Sequence, residues 1–300
     1  MKNLRVSFSG TADTTGYLFS LAKCLSAALR SGGYEEFADD IIATSGFAFR
    51  LWVAPDLCPS GTSIWEFKAQ KPWVENGGLT CGYVERLWGQ DNVEEARRIE
   101  ALKLIKDSID RGISAVAWDL SGCEWGLAVG YDDERQVLST LKLDGSTGEV
   151  RYEKLGKLDL PILSVLTVTG KSPKTAGKLI ADTKALAVNH LRGGEWCDNP
   201  HGIAAYDTLI SFVREKLSAD TLWNLRYYLG TFAALRYYAA KFFEKYGEDE
   251  LAVLYGNVYD CWNKAFGLVS GEPEAREEIA LLLEKAKAYE ISALKSMEGK

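Results

Sequence analysis

Glu124-Trp125-Gly126-Leu127-Ala128-Val129-Gly130-Tyr131-Asp132, followed by Asp144, is the stretch whose reading decides the fold. Its apolar middle is short and bounded by glycines, which is the pattern of a buried strand rather than a helix. A polar turn follows, and Val137 to Leu143 reads as a second strand that ends at Asp144. Ile113 to Trp118 supplies a strand before this pair, and the mostly apolar Ile162 to Val168 supplies one after it. Glu124 and Asp144 are thus expected at the ends of neighbouring strands.

Upstream of the strands the pattern turns helical. Leu18, Leu21, Ala22, Leu25, Ala28 and Leu29 recur at a period near 3.6 between Gly16 and Arg30, and Gly32-Gly33 stops the run. Glu35 to Thr44 reads as a second short helix. Ser45-Gly46-Phe47-Ala48-Phe49-Arg50-Leu51-Trp52-Val53 reads as a turn into a strand. Pro55 to Gly89 is rich in Pro, Gly and Trp and reads as an irregular excursion or pocket wall. Asn92 is placed to cap a helix through Ile99, Leu102, Ile105 and Ile109 that ends at Arg111-Gly112.

After Gly170-Lys171-Ser172-Pro173-Lys174 nearly everything reads as helix: Thr175 to Leu191, a helix opened by Asn199-Pro200 from His201 to Lys216, another begun at Ala219-Asp220, and a last one from Glu274 to Met297. The last carries a stripe of Ile279, Leu282, Leu283, Ala286 and Leu294. The expected architecture is an α+β domain over residues 1–172, helix plus antiparallel sheet, followed by an all-helical domain over 173–300 that packs over its cleft.

Composition excludes several classes of function. The formal net charge is -7, with 47% hydrophobic and 26% charged residues. A negative field opposes nucleic acid and anionic membrane surfaces as partners. No run has the apolar length of a spanning helix, and Met1 to Phe8 reads as an edge strand rather than a signal peptide. The six cysteines, Cys24, Cys58, Cys81, Cys123, Cys197 and Cys261, are scattered without a CxxC pair. That argues for reduced thiols in the cytoplasm and against a disulfide framework or a zinc site. Neither a metal nor a cofactor is expected.

The order of these parts resembles the papain-like bacteriocin-processing cysteine peptidases and the N-terminal domain of the butirosin-biosynthesis acyltransferase. The resemblance covers roughly residues 1 to 168 and rests on several weak landmarks in order. Ser20-Leu21-Ala22-Lys23-Cys24 through Gly32-Gly33 stands for the nucleophile helix, and Ser45-Gly46-Phe47-Ala48-Phe49 for a small-residue turn before an aromatic strand. Ile109-Asp110-Arg111-Gly112-Ile113 stands for a helix leading to Gly and a strand. Glu124-Trp125-Gly126 stands for the His-aromatic strand, and Asp144-Gly145 for the orienting Asp. Glu124 therefore occupies the position where the family carries its His. Counting back from Gly33 puts Ser20, rather than Cys24, at the family's nucleophile position.

Acyl transfer by a thiol needs a Cys acidified at a helix N-terminus, a base within reach, and a third group to hold that base. The candidates for such a site are Cys24 or Ser20 as nucleophile, with Glu124, Asp144 and His201 as proton-carrying groups. A carboxylate with its usual pKa near 4 is a poor base for a thiol. The resemblance therefore implies a catalytically degenerate member that binds a small amide- or acyl-bearing ligand. Ser20, Phe49, Trp125 and Tyr228 would contact the ligand, and the aromatic helix of Trp223 to Phe243 would close the site. The alternatives are a Cys24-dependent acyltransferase or amide hydrolase, and a structural protein that dimerises through its aromatic helix.

Overall fold

The protein is α+β, with an antiparallel sheet and a helical C-terminal region, in the computed structural model, which describes residues 1–63, 65–270 and 272–299. The side chains of Pro273 and Glu274 lie outside that description, so the acidic start of the last helix is described only in part. The chain divides into two compact units. The first comprises Met1–Ala12, Ser20–Ile41 and Phe67–Lys174; the second comprises Asp13–Phe19, Ile42–Glu66 and Thr175–Lys300. The division at 174/175 lies near the expected boundary, but two N-terminal stretches go with the helices. Local bonds explain this: Thr15 Oγ1 donates to the Gly230 carbonyl at 2.9 Å, and Val53 N donates to the Pro200 carbonyl at 3.0 Å.

The first unit holds β1 (Lys2–Asn3), α1 (Ser20–Ser31), α3 (Gln70–Glu75), β2 (Leu79–Arg86), α4 (Glu94–Asp110), β3 (Ala115–Ala117), β4 (Gly126–Asp132), β5 (Val137–Leu141), β6 (Thr147–Arg151) and β7 (Leu163–Lys171). A short helix, α2 (Asp40–Thr44), bridges the division between units. The strands form one sheet in the order β2-β7-β3-β4-β5-β6, with β1 beside β4, and every pair is antiparallel. Leu127 pairs with Val116 on one side and Leu141 on the other, so β4 is central and apolar, as its sequence requires. Helix α4 buries Ala101, Leu102, Ile105 and Ile109 in a cluster with Ala115, Ala128, Leu138 and Val165 of the sheet. That spacing is one face of a 3.6-residue helix; Ile99, on another face, is exposed.

Several expected elements are corrected. Helix α1 begins at Ser20, not near Gly16. Gly16 is left-handed at φ +80, and Asp13 Oδ1 accepts the amides of Gly16 at 2.9 Å and Leu18 at 3.0 Å, so a turn uses the donors a helix would need. No strand forms over Ser45 to Val53: the amides of Gly46, Ala48, Phe49 and Arg50 bond to nearby carbonyls in tight turns, and only Trp52 bridges, to His201. Asn92 caps nothing, because a 3-10 turn at Asp91–Val93 precedes α4. The irregular span from Pro55 to Gly89 contains α3 and the eight-residue β2. Strand β6 also lies beyond the expected set.

The second unit contains α5 (Ala176–Leu191), α6 (Ala205–Glu215), α7 (Leu222–Lys245), α8 (Asp249–Gly267) and α9 (Pro273–Met297). Thr175 caps α5, its Oγ1 accepting from Lys178 N at 3.3 Å. Ser218 and Thr221 form a capping box ahead of α7. Helix α7 packs on α8, and α8 on α9. The buried stripe of α9 is Ile279, Ala280, Leu283, Ala286, Ala293 and Leu294, with Leu282 only half-buried and Glu290 fully buried among them. No described helix is long and apolar enough to cross a membrane.

Candidate functional site

The β3–β4 connection places the key carboxylate. Asp119, Gly122 and Cys123 are all left-handed (φ +62, +69 and +56), which turns the chain sharply. Asp119 pins the turn: its Oδ1 accepts Cys123 N at 2.7 Å and its Oδ2 accepts Leu160 N at 2.9 Å. Ser121 ties the same turn to the end of β5 by accepting Leu143 N at 3.1 Å. Glu124 emerges from this turn one residue ahead of the buried Trp125.

Ser20 is the first residue of α1 and meets Glu124 there. Its Oγ donates a short hydrogen bond to Glu124 Oε2 and accepts Trp125 N at 3.4 Å. Ser20 is 4% exposed, whereas Glu124 is half-buried. A carboxylate at the first turn of a helix is favoured by the partial positive charge of the unsatisfied amides. Beside it lies an aromatic wall: the Trp125 ring is 5.3 Å from Trp118 and 5.7 Å from Phe67, centroid to centroid. Ser164 links this wall to α3 and β2, because its carbonyl accepts Trp118 N at 3.0 Å and its Oγ accepts Gln70 Nε2 at 2.7 Å. Tyr83 Oη lies 3.0 Å from the same Oγ and donates to Glu85 at 2.8 Å. Trp118 Nε1, a donor, and Gln70 Oε1, an acceptor, are buried with no hydrogen-bond partner among the described residues.

Of the sequence-predicted site residues, this geometry joins Ser20, Glu124 and Trp125. The rest lie elsewhere or are sealed. Cys24 is fully buried within α1, and burial, reinforced by the Glu124 charge, pushes its thiol far above the ordinary range. It is a core side chain, not a poised nucleophile. Asp144 is exposed and accepts the amide of Ser146 at 2.8 Å and its hydroxyl at 2.6 Å, contacts that hold its carboxyl below the usual value. It caps its own turn and borders a surface hollow of about 240 Å³ that neither Ser20 nor Glu124 lines.

His201, Phe49 and Tyr228 belong to the second unit. The His201 ring nitrogens lie 2.7 Å from the Asn199 carbonyl and 3.1 Å from the Gly193 carbonyl, so the side chain fastens a loop of the second unit and is not placed with Ser20 and Glu124. Phe49 is core, 5.3 Å from the Tyr255 ring and 5.8 Å from Phe243. Tyr228 Oη donates to the Cys58 carbonyl at 2.7 Å and accepts Ala54 N at 3.2 Å, holding the 54–58 turn.

Two clusters escaped the sequence reading. Asp119, Cys123 and Asp159 bring donor atoms within 4.8 Å of one another. Both Asp119 oxygens already accept backbone amides, which accounts for Asp119 as the organiser of its loop. The polar-turn run Asp119-Leu120-Ser121-Gly122 was the available signal.

The other cluster, in the second unit, centres on buried Arg50. Its Nε donates to Glu195 at 3.1 Å and its Nη1 to the Thr62 carbonyl at 2.9 Å, and its guanidinium lies 3.6 Å from the Trp52 ring centroid. Glu195 Oε1 also accepts Trp52 Nε1 at 2.9 Å and sits 3.0 Å from His190 Nδ1. Nothing in the local sequence pairs residues 145 positions apart. The chain matches no known protein-family model and no curated protein.

Proposed function

We propose that the protein is a papain-like member without catalytic activity, which binds a small amide- or acyl-bearing ligand at the start of α1. The observation that carries this reading is the hydrogen bond from Ser20 Oγ to Glu124 Oε2. A helix-start hydroxyl meets a strand-start carboxylate where the resemblance puts a thiol and an imidazole. The pair is chemically quiet. A carboxylate has far too low a proton affinity to deprotonate a serine hydroxyl, and among the described residues the only hydrogen bonds of the Ser20 hydroxyl are to Glu124 and the Trp125 amide. The buried state of Cys24 speaks against the thiol-enzyme alternative.

The ligand class is supported by the two unmet polar atoms on groups that share Ser164. Trp118 Nε1 offers a donor and Gln70 Oε1 an acceptor, the complement of an amide's carbonyl and N–H. Buried polar atoms left unmatched cost free energy, so a ligand that reached both would gain by matching them.

Thermal-shift measurements against primary amides, N-acyl amino acids and acyl thioesters test the reading. A binder present at about 100 times its Kd stabilises by about 2.7 kcal/mol, and Gln70→Leu or Glu124→Ala should abolish that shift. No stabilisation by any of the three classes would refute ligand binding. A Ser20→Cys/Glu124→His variant tests the scaffold separately. Its new thiol should react with iodoacetamide faster than the exposed Cys58 and Cys123, and a rate no higher than theirs would refute the papain-like placement.

A further inference from the structure

Helices α7 and α8 of the second unit frame an open groove of about 790 Å³. Its apolar lining includes Ala240, Ala252, Val253 and Gly256, and Tyr237 and Tyr259, also in the lining, pack edge to face 5.6 Å apart. Val253 is 65% exposed, so an apolar side chain in the second turn of α8 faces solvent. Gly256 lies inside α8, where glycine weakens a helix relative to alanine. A Cβ there would meet nothing within 4 Å, so the protein's own packing does not call for glycine. Glycine there leaves the α8 backbone beside Val253 open to close approach by a neighbour.

The charges select the occupant. Lys241 is spent on Glu244 at 2.6 Å. Asp249 and Asp260 also line the groove, and neither has an ion-pair partner among the described residues. They are separated along α8 by about 16 Å at the helical rise, roughly three turns. A second copy of this chain docked face to face would set these carboxylates against one another in an apolar setting, which like charges disfavour.

We infer that the α7–α8 groove is a docking site for a basic amphipathic helix of a partner protein. The partner's apolar face lies over Gly256 and Val253, and a cationic side chain meets Asp249 at one end and Asp260 at the other. This is recognition of a helix in a groove, with apolar contact for affinity and end charges for orientation. It stands independently of the Ser20 site.

The test uses the full-length chain and two labelled peptides of about four helical turns with the same Leu/Ala face. One carries Lys at the two end positions and the other Glu, and binding is read by fluorescence anisotropy. The Lys peptide should bind, its Glu twin should not, and added salt should weaken the complex. Gly256→Leu, which fills the groove, and the surface double variant Asp249→Asn/Asp260→Asn should each weaken binding at least about tenfold while melting as cooperatively as the parent. Absence of binding, equal binding of the Glu twin, or equal binding by the double variant would overturn the inference. So would a dimer in light scattering that Gly256→Leu dissolves, since the occupant would then be a second copy.

Discussion

Glu195 is a buried carboxylate that faces the equally buried Arg50. Burial alone would raise its carboxyl pKa, but the Arg50 charge and the bonds from His190 and Arg50 outweigh burial and hold it at about 2. A depressed carboxyl stabilises the fold above the unfolded value and loses that contribution as pH falls through the folded one. About 3 kcal/mol of stability at neutral pH should therefore fade between about pH 4.5 and 2. Glu195→Gln should flatten that part of a pH–Tm profile. It should also cost about 3–5 kcal/mol at pH 7 in urea denaturation, because the buried Arg50 guanidinium loses the charge of Glu195 opposite it. Cysteine reactivity is the second prediction at this scale. Iodoacetamide on the native protein should modify the exposed Cys58 and Cys123 first and the buried Cys24 and Cys81 last, read by peptide mass spectrometry. Early labelling of Cys24 would contradict its placement in the core. The sequence named Cys24 because cysteine is the reactive residue type. Counting back from Gly33 sets Ser20, four positions earlier, beside it as the alternative, and the helix start at Ser20 is what brings that hydroxyl to the carboxylate.

Elements were legible where pattern and neighbours agreed. Strand β4 is apolar and central, so its sequence and its environment say the same thing, and the turn at Gly170 to Thr175 ends in a working cap. Elements were missed where the pattern was masked. Strand β2 buries Leu79, Cys81 and Val84, but its two-residue period slips by one across Gly82-Tyr83, and the surrounding Pro, Gly and Trp hid it further. Helix α1 was placed too early because Leu18 continues its apolar period, whereas the Asp13 side chain claims the Gly16 and Leu18 amides. An element-scale prediction concerns the connection from β6 to β7. Arg86 in β2 is 3% exposed and donates to the carbonyls of Gly156 and Pro161. Arg86→Met should leave both carbonyls without these charge-assisted bonds and cost about 1.5–3 kcal/mol. Amide exchange should rise first between Leu155 and Leu163; unchanged protection there would show that the connection holds without Arg86.

At the scale of the whole molecule, each unit is held by polar contacts between residues far apart in sequence. In the second, Arg236 and Glu290 are both fully buried, with Arg236 Nε donating to Glu290 Oε1 at 3.0 Å. Tyr206 Oη donates to Glu290 Oε2 at 2.7 Å, and Arg236 Nη1 donates to the Arg50 carbonyl at 2.9 Å, tying an N-terminal turn to the helices. Arg236→Met alone should cost about 3–5 kcal/mol by stranding Glu290, and adding Glu290→Met should restore a measurable part of it. A double variant no more stable than the single would show that the backbone bonds of Arg236, rather than the ion pair, carry the effect. The sequence by itself determined the alternation of apolar runs and turns, hence an antiparallel sheet with helices and a helical C-terminal region, because periodicity is a local property. Only the tertiary structure decided that 13–19 and 42–66 join the helices, that Asp144 and His201 serve their own loops, and that Ser20 and Glu124 meet. The first and last of those outcomes depend on hydrogen bonds between residues a hundred or more positions apart, such as Thr15 to Gly230 and Ser20 to Glu124, and no local pattern encodes which distant partner a polar side chain finds; Asp144 and His201 are instead held by neighbours within eight positions.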